Sequence, residues 1–355
     1  MSHENINAAG LLYSLLLCYS PSSQEGYAAA TLVEFMRRAG FDTRFDQIGN
    51  IIGSIGTGPR EIVLLGHLDT VVGYLTPNFD GERLYGRGAV DAKGPLACFT
   101  SAASLVGRRQ GWKITVIGAV GEEADSRGAK HLCQTYPAPD LVVIGEPSGW
   151  DSVTLGYKGG VWGEYHIQCA NGHIAGNKVN ACGSAFAFWN RVLAAAYNYN
   201  QAYQRVFDQI SPMLVAMASD ENGYAQIARL KFNIRIPTGV SPLELKGMLE
   251  SFAEDGQVRL NECIQAYKSE KNNVLSRHLI AAIRKHGGRP GYKLKTGTSD
   301  MNVVAPVWNK PVVAYGPGDS NLDHTPDEHI SLPEYEASIH VLADALRTIT
   351  ANADS

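Results

Sequence analysis

The 355-residue chain lacks any Cys-x-x-Cys pair. Its six cysteines, Cys18, Cys98, Cys133, Cys169, Cys182 and Cys263, are scattered, which excludes a thiolate zinc knuckle and a thioredoxin-like redox motif. Most lie in apolar runs, as expected of reduced, buried thiols in a reducing compartment. No run of about 18 apolar residues occurs, so no membrane span is expected. Residues 11–17 are apolar but interrupted by Tyr13 and Ser14, without a basic stretch before them. They do not read as a signal peptide, and the expected location is the cytoplasm. Positive charge is not in excess either: 31 Lys and Arg stand against 35 Asp and Glu, a net charge of −4, which argues against nucleic acid as the main partner. There is no internal repeat and no low-complexity tract. What is present, 45% hydrophobic and 19% charged residues, suits a globular protein long enough for two domains.

The first third alternates helix and strand. Residues 5–18 read as an amphipathic helix broken by Pro21. Ser22 and Glu25 have the spacing of a capping box for a second helix, which ends at Gly40. Residues 43–45 and 51–55 flank the Gly49-Asn50 turn as a hairpin. Three apolar strands follow, each running into a polar loop: 61–65 into Gly66-His67, 113–120 into Gly121-Glu122-Glu123, and 141–144 into Gly145-Glu146. A helix with Pro95 in its first turn lies between the first two. This is the grammar of an α/β sheet covered by helices on both faces, in which function gathers at the carboxyl ends of strands.

The pattern changes near residue 156. Strands at 161–169, 224–236 and 257–267 alternate with helices at 180–197 and 241–254, an order that resembles a small two-helix, four-strand α+β module. A helix at 274–286 and a strand at 311–315 then return to the first grammar. The expected domains are a discontinuous one, residues 1–155 and 269–355, and an insertion, residues 156–268.

A hydrolytic metal site needs imidazole and carboxylate ligands, a bridging carboxylate if two ions are used, and a base for water. Candidates occur in order: His67 and Asp69 in GHLDTV, Asp91 in GRGAVDAKG, Glu122 and Glu123 in GEEADSRG, Glu146 in GEPSG, and His324 in LDHTPDEH. Taken singly, each has a plainer reading. A Glu pair decorates helix starts, and an Asp forms turns. Taken together, with most of the clusters at predicted strand ends, they point to one site.

This set resembles the di-zinc amidohydrolases that include acetylornithine deacetylase, succinyl-diaminopimelate desuccinylase, aminoacylase and carboxypeptidase G, over nearly the whole chain. The resemblance implies a zinc-peptidase-like catalytic domain with a mixed sheet, plus an inserted lid and dimerisation domain. It implies two Zn2+ per subunit, with Co2+ as an alternative. Asp91 would bridge them, with His67 and Glu146 completing one site and Glu123 and His324 the other. Asp69 would orient His67, and Glu122 would be the general base. A cis peptide at Asp91-Ala92 is also implied. His173 in NGHIAG matches a lid histidine only imperfectly. Asn233 and Arg235 in KFNIRIPTG match a lid motif for the substrate carboxylate, and strand alternation places both on one face. Thr298, Ser299 and Asp300 in GTSD, and Gly318 in YGPG, match substrate loops.

SPSSQEG, KTGTSDMN and YGPGDSNLDHTPDEH are most similar to the subgroup that frees lysine or ornithine from an acyl group on the side-chain nitrogen, in lysine or arginine biosynthesis. The acyl group is acetyl, or the terminal glutamate of a small acidic amino-group carrier protein. Such a site must hold an α-carboxylate, with Arg235 as candidate, and an α-ammonium, with Asp300 or Glu328. An acidic carrier also demands a basic rim, to which Lys158, Lys178, Arg191, Lys293 and Lys295 are candidates. Acetylornithine deacetylase, succinyl-diaminopimelate desuccinylase and a dipeptidase-like hydrolase are the enzyme alternatives. A metal-stabilised binding protein is the alternative outside catalysis. The resemblance further implies a homodimer through the inserted domain.

Overall fold

The computed structural model describes residues 7–172 and 179–351. The chain forms two compact units, one of Met1–Gly156, Ser269–Lys293 and Ser299–Ser355, the other of Tyr157–Lys268 and Leu294–Thr298. Among the described residues no helix is long and apolar enough to cross a membrane.

The first unit is built on a mixed sheet whose strands run in the order Asp42–Phe45, Ile51–Ile55, Trp112–Ala119, Arg60–His67, Leu141–Gly145, Val312–Tyr315 and Ser152–Tyr157. The four from Trp112–Ala119 to Val312–Tyr315 are parallel neighbours, and the flanking pairs are antiparallel. The parallel strands are buried almost throughout. That is why they read as continuous Val, Ile and Leu runs rather than as alternating ones. Helix Lys93–Val106 is buried along nearly its whole length. It packs on helices Ala8–Leu17 and Leu332–Ala351 and on the central strands. Small residues let it come close: a Cβ on Gly145 would lie 2.9 Å from the Phe99 ring and 3.2 Å from Gly66 Cα.

Helix Ala8–Leu17 begins at Asn7, whose side chain accepts the Gly10 N–H. The capping box expected at Ser22 and Glu25 does not form. The Ser22 hydroxyl donates to Asp69 Oδ2 at 2.7 Å. Glu25 accepts from Ser23 N–H and from Arg127, and the helix starts at Gly26 without a side-chain cap. A local motif has lost here to charge-assisted bonds with distant partners.

The second unit is an antiparallel sheet in the order Ser211–Glu221, Ala225–Ile236, Gly159–Ala170, Gln257–Ile264. Helices Ala181–Asn200 and Pro242–Phe252 belong to it. Its core gathers Tyr165, Phe188, Trp189, Phe232, Ile234, Leu245 and Leu249, with the Tyr165 and Phe188 rings stacked at 4.1 Å. Ser241 and Glu244 form a capping box on the second helix. Strand Ser211–Glu221 escapes the sequence reading. It lies at the sheet edge and stays largely exposed on both faces, so no buried face imposes the period of two that marks a strand.

Gly145→Ala should destabilise the first unit by about 1–3 kcal/mol through overpacking against Phe99 and Gly66. Urea unfolding measures this, and an unchanged midpoint would contradict the close approach.

Candidate metal centre

Three of the parallel strands end in the candidate residues. His67 is the last residue of Arg60–His67, and Glu146 directly follows Leu141–Gly145. Glu122 and Glu123 follow Trp112–Ala119 across a turn at Gly121, φ 75°. Asp91 lies between strand Arg83–Tyr85 and helix Lys93–Val106, and the Asp91-Ala92 peptide is cis. His324 precedes strand His329–Ser331 and has φ 63°.

His67 Nδ1 lies 2.9 Å from the main-chain carbonyl of Asp69. A carbonyl only accepts, so Nδ1 carries a proton and the neutral tautomer leaves the Nε2 lone pair free. Nε2 faces Asp91 Oδ1 at 3.1 Å. Two acceptors meet there, and a proton or a cation must mediate between them. The other Asp91 oxygen, Oδ2, lies 3.1 Å from His324 Nε2, which is also 3.1 Å from Glu123 Oε1. Asp91, Glu123 and His324 each offer one donor atom, all within 4.8 Å of one another. Both oxygens of Asp91 are thus engaged, one toward each histidine.

The electrostatics state the same demand. Burial opposes a charge on His67, yet hydrogen bonds to Asp69 and Asp91 and the fields of Glu122 and Asp91 outweigh it, raising its pKa well above the usual value. Hydrogen bonds to Asp91 and Glu123 push His324 up to about 10. Burial, reinforced by neighbouring carboxylates, raises Glu122 and Glu146 well above the usual range. It lifts Asp300 to about 7. Imidazoles that hold protons and carboxyls that resist losing them describe a cleft short of positive charge. Hard oxygen and imidazole donors in this arrangement could hold divalent cations.

Asp69 supports the site by a route the sequence does not show. Its carboxylate is 3.6 Å from His67 Nδ1, while its oxygens accept the main-chain N–H groups of Glu122 and Glu123, both at 3.0 Å, and the Ser22 hydroxyl. Asp69 therefore fixes the loop that carries the two glutamates. Glu328, a sequence candidate for an ammonium, is fully buried and turned inward. It binds Arg87 at 2.7 Å and three main-chain N–H groups of the Asp91 loop. In the sequence Ser22 reads only as a helix cap and Arg87 does not stand out, because their roles exist only through partners far away in the chain.

The remaining candidates divide between the two units. In the first, Asp300 opens helix Asp300–Trp308, buried, with Oδ1 lacking a hydrogen-bond partner among the described residues. Ser299 caps that helix, its hydroxyl accepting from Met301 N–H. Gly318, φ 105°, packs on Val90 beside Asp91, where a Cβ would come within 2.9 Å. In the second, Arg235 donates to Thr298 Oγ1 at 3.2 Å and lies over the Trp162 ring at 4.9 Å. Asn233, across from Trp162 in the sheet, is buried with Nδ2 unpaired among the described residues. His173 and Lys178 lie outside the described residues. Lys158 does not join a basic rim: it is completely buried, its Nζ donating to the carbonyls of Val206 and Gln209 and to Ser211 Oγ.

Residues 63–348 match the sequence profile of Peptidase family M20/M25/M40. A protein of Deinococcus radiodurans named LysW-lysine hydrolase is 40% identical over 92% of both chains. A LysW-lysine/LysW-ornithine hydrolase of Sulfurisphaera tokodaii is 27% identical over 96% of this chain and 94% of its own. The M20 family metallo-carboxypeptidase Sso-CP2 from Sulfolobus solfataricus superposes with a TM-score of 0.80 at 16% identity, covering 98% of this chain and all of the other. By sequence match over most of its length, the chain belongs to Peptidase family M20/M25/M40.

Proposed function

We propose that this chain hydrolyses the amide joining the side-chain nitrogen of lysine or ornithine to the acyl group of an amino-group carrier protein, releasing the free amino acid. The observation that carries the reading is Asp91 set between His67 and His324 with one oxygen toward each. The names of the near-full-length relatives supply the substrate class. The six free cysteines suit a cytoplasmic setting.

The donor set fits two divalent cations, zinc or cobalt. They would be held by Asp91 in common, by His67 and Glu146 on one side, and by Glu123 and His324 on the other. Bound there, they would supply Lewis acidity toward water and the amide carbonyl. Glu122 stands 3.9 Å from His67 Nε2. It takes a proton from the attacking water and delivers it to the departing side-chain nitrogen as the C–N bond breaks, while the acyl carbon keeps the new oxygen as a carboxylate. The Asp69 carboxylate steadies both glutamates through their main-chain N–H groups. Asp300 receives the α-ammonium of the amino acid.

The acidic carrier calls for a basic approach surface. Residues 271–299 contain seven Lys and Arg and no Asp or Glu, in a chain of net charge −4. Lys293 in this stretch is exposed, and its Nζ would lie 3.4 Å from a Cβ on Gly149, three residues past Glu146. Arg191 contributes less, since it binds the Phe252 carbonyl and Glu254.

We also propose a homodimer formed through the second unit. Its edge strand Ser211–Glu221 exposes Met213, Val215 and Met217, and helix Ala181–Asn200 exposes Phe186, Leu193 and Tyr197. An exposed apolar edge of this length needs a partner or a block.

Three outcomes are expected. Glu122→Gln should lower kcat by about 10²–10⁴-fold with both metals retained by elemental analysis; loss of metal would place Glu122 among the ligands, and undiminished turnover would end its role as base. The kcat/KM for carrier-linked lysine should fall as salt rises, while that for N6-acetyl-lysine stays nearly flat. Equal salt dependence would remove the basic surface from substrate recognition. Met213→Glu combined with Val215→Glu should convert the dimer to a folded monomer by light scattering; a monomeric parent, or a variant that stays dimeric, would refute the interface.

A further inference from the structure

We infer that Glu328 is a positioning residue that sets the span between Asp91 and His324, and through it the affinity of the centre for cations. The inference rests on the metal reading given above.

Glu328 lies four residues beyond His324 in the chain. Its Oε1 accepts the main-chain N–H groups of Gly88, Val90 and Asp91 at 3.0, 3.0 and 3.1 Å. Its Oε2 accepts from Arg87 Nη1 at 2.7 Å, with both side chains out of solvent. Its own carbonyl accepts the Gly86 N–H at 3.1 Å. The pairing then continues as a ladder, His329 opposite Tyr85 and Ile330 opposite Leu84. One residue of the His324 segment therefore holds the whole turn from Gly86 to Asp91, including the main-chain nitrogen of Asp91 itself.

Charged acceptors make the strongest hydrogen bonds to main-chain N–H groups, and burial keeps water from replacing them. Glu328 has no capacity left for substrate. Its geometry serves another end: Asp91 must present one oxygen to each histidine, and a donor set tolerates displacement of only about 0.5 Å. Without the carboxylate, three N–H groups and the Arg87 guanidinium would seek other partners, and the Asp91 turn would relax away from His324.

The test is titration of the apo chain with Co2+, followed by its visible absorption bands, beside thermal melting and steady-state kinetics. Glu328→Ala should weaken cobalt binding about 10–100-fold, the range seen when groups that orient metal ligands are removed. Glu328→Gln keeps an oxygen for the N–H groups but loses the charge facing Arg87, and should fall between wild type and Glu328→Ala. At subsaturating metal kcat should drop while KM stays constant. Leu346→Ala, a cavity in the buried face of the last helix, should lower the melting temperature while leaving cobalt affinity and spectrum unchanged. The inference is overturned if Glu328→Ala binds cobalt as wild type does, or if Leu346→Ala weakens binding as much. A wild-type chain that takes up no cobalt would overturn the metal reading as well, so the two failures are separate.

Discussion

Burial of carboxyl groups beside one another is the constraint on which the cleft of the first unit depends. Asp69, Asp91, Glu122, Glu123, Glu146 and Asp300 share one cleft, and burial pushes four of them toward the protonated form. Two like charges 4 Å apart in a protein interior cost on the order of 4 kcal/mol. A fold keeps such a cluster only with compensation. Part of it is built in: main-chain N–H groups and Ser22 on Asp69, and His67 and His324 on Asp91. The remainder is met by protons on the carboxyls and imidazoles, or by cations in their place. The same acidity that would drive metal uptake makes the cation-free cleft costly to maintain.

The layout of the sheet explains why this concentration occurs where it does. Parallel strands deliver their carboxyl ends to one edge, and each strand ends in a turn rather than in further pairing. That rule brings together His67 and Glu146, and, with the Asp69 bonds to their main-chain N–H groups, Glu122 and Glu123. Asp91 and His324 are not on such strands. They arrive on loops, and loops need bracing, which Glu328 and its Arg87 partner provide from within.

Much of this was legible in the sequence for a physical reason. Buried parallel strands are forced to be apolar, so the polar residue that ends each one is conspicuous, as at His67 and Glu146. The α/β class could be read for the same reason, while the mixed sheet was implied only by the family resemblance. Less legible were groups whose meaning depends on a distant partner. Ser22 and Glu25 have the spacing of a helix cap, but Asp69 and Arg127 claim them. Glu328 reads as a candidate for the substrate's ammonium, yet it is buried on Arg87 and the Asp91 loop. Lys158 resembles a rim cation, yet it ties down the segment at Val206–Ser211 from inside the second unit. Strand Ser211–Glu221 was illegible because no buried face disciplines its pattern.

The order in which the site residues occur along the chain has a consequence for biogenesis. Ser22, His67, Asp91, Glu123 and Glu146 emerge from a ribosome long before His324 and Glu328 do. Until those last segments appear, Asp91 lacks one of its two imidazoles and its loop lacks its brace, so a nascent chain presents an acidic half-site. Long-range closure of this kind is slow compared with local helix formation. It would leave the pairing of Asp91 with both histidines to the finished polypeptide rather than to the growing one.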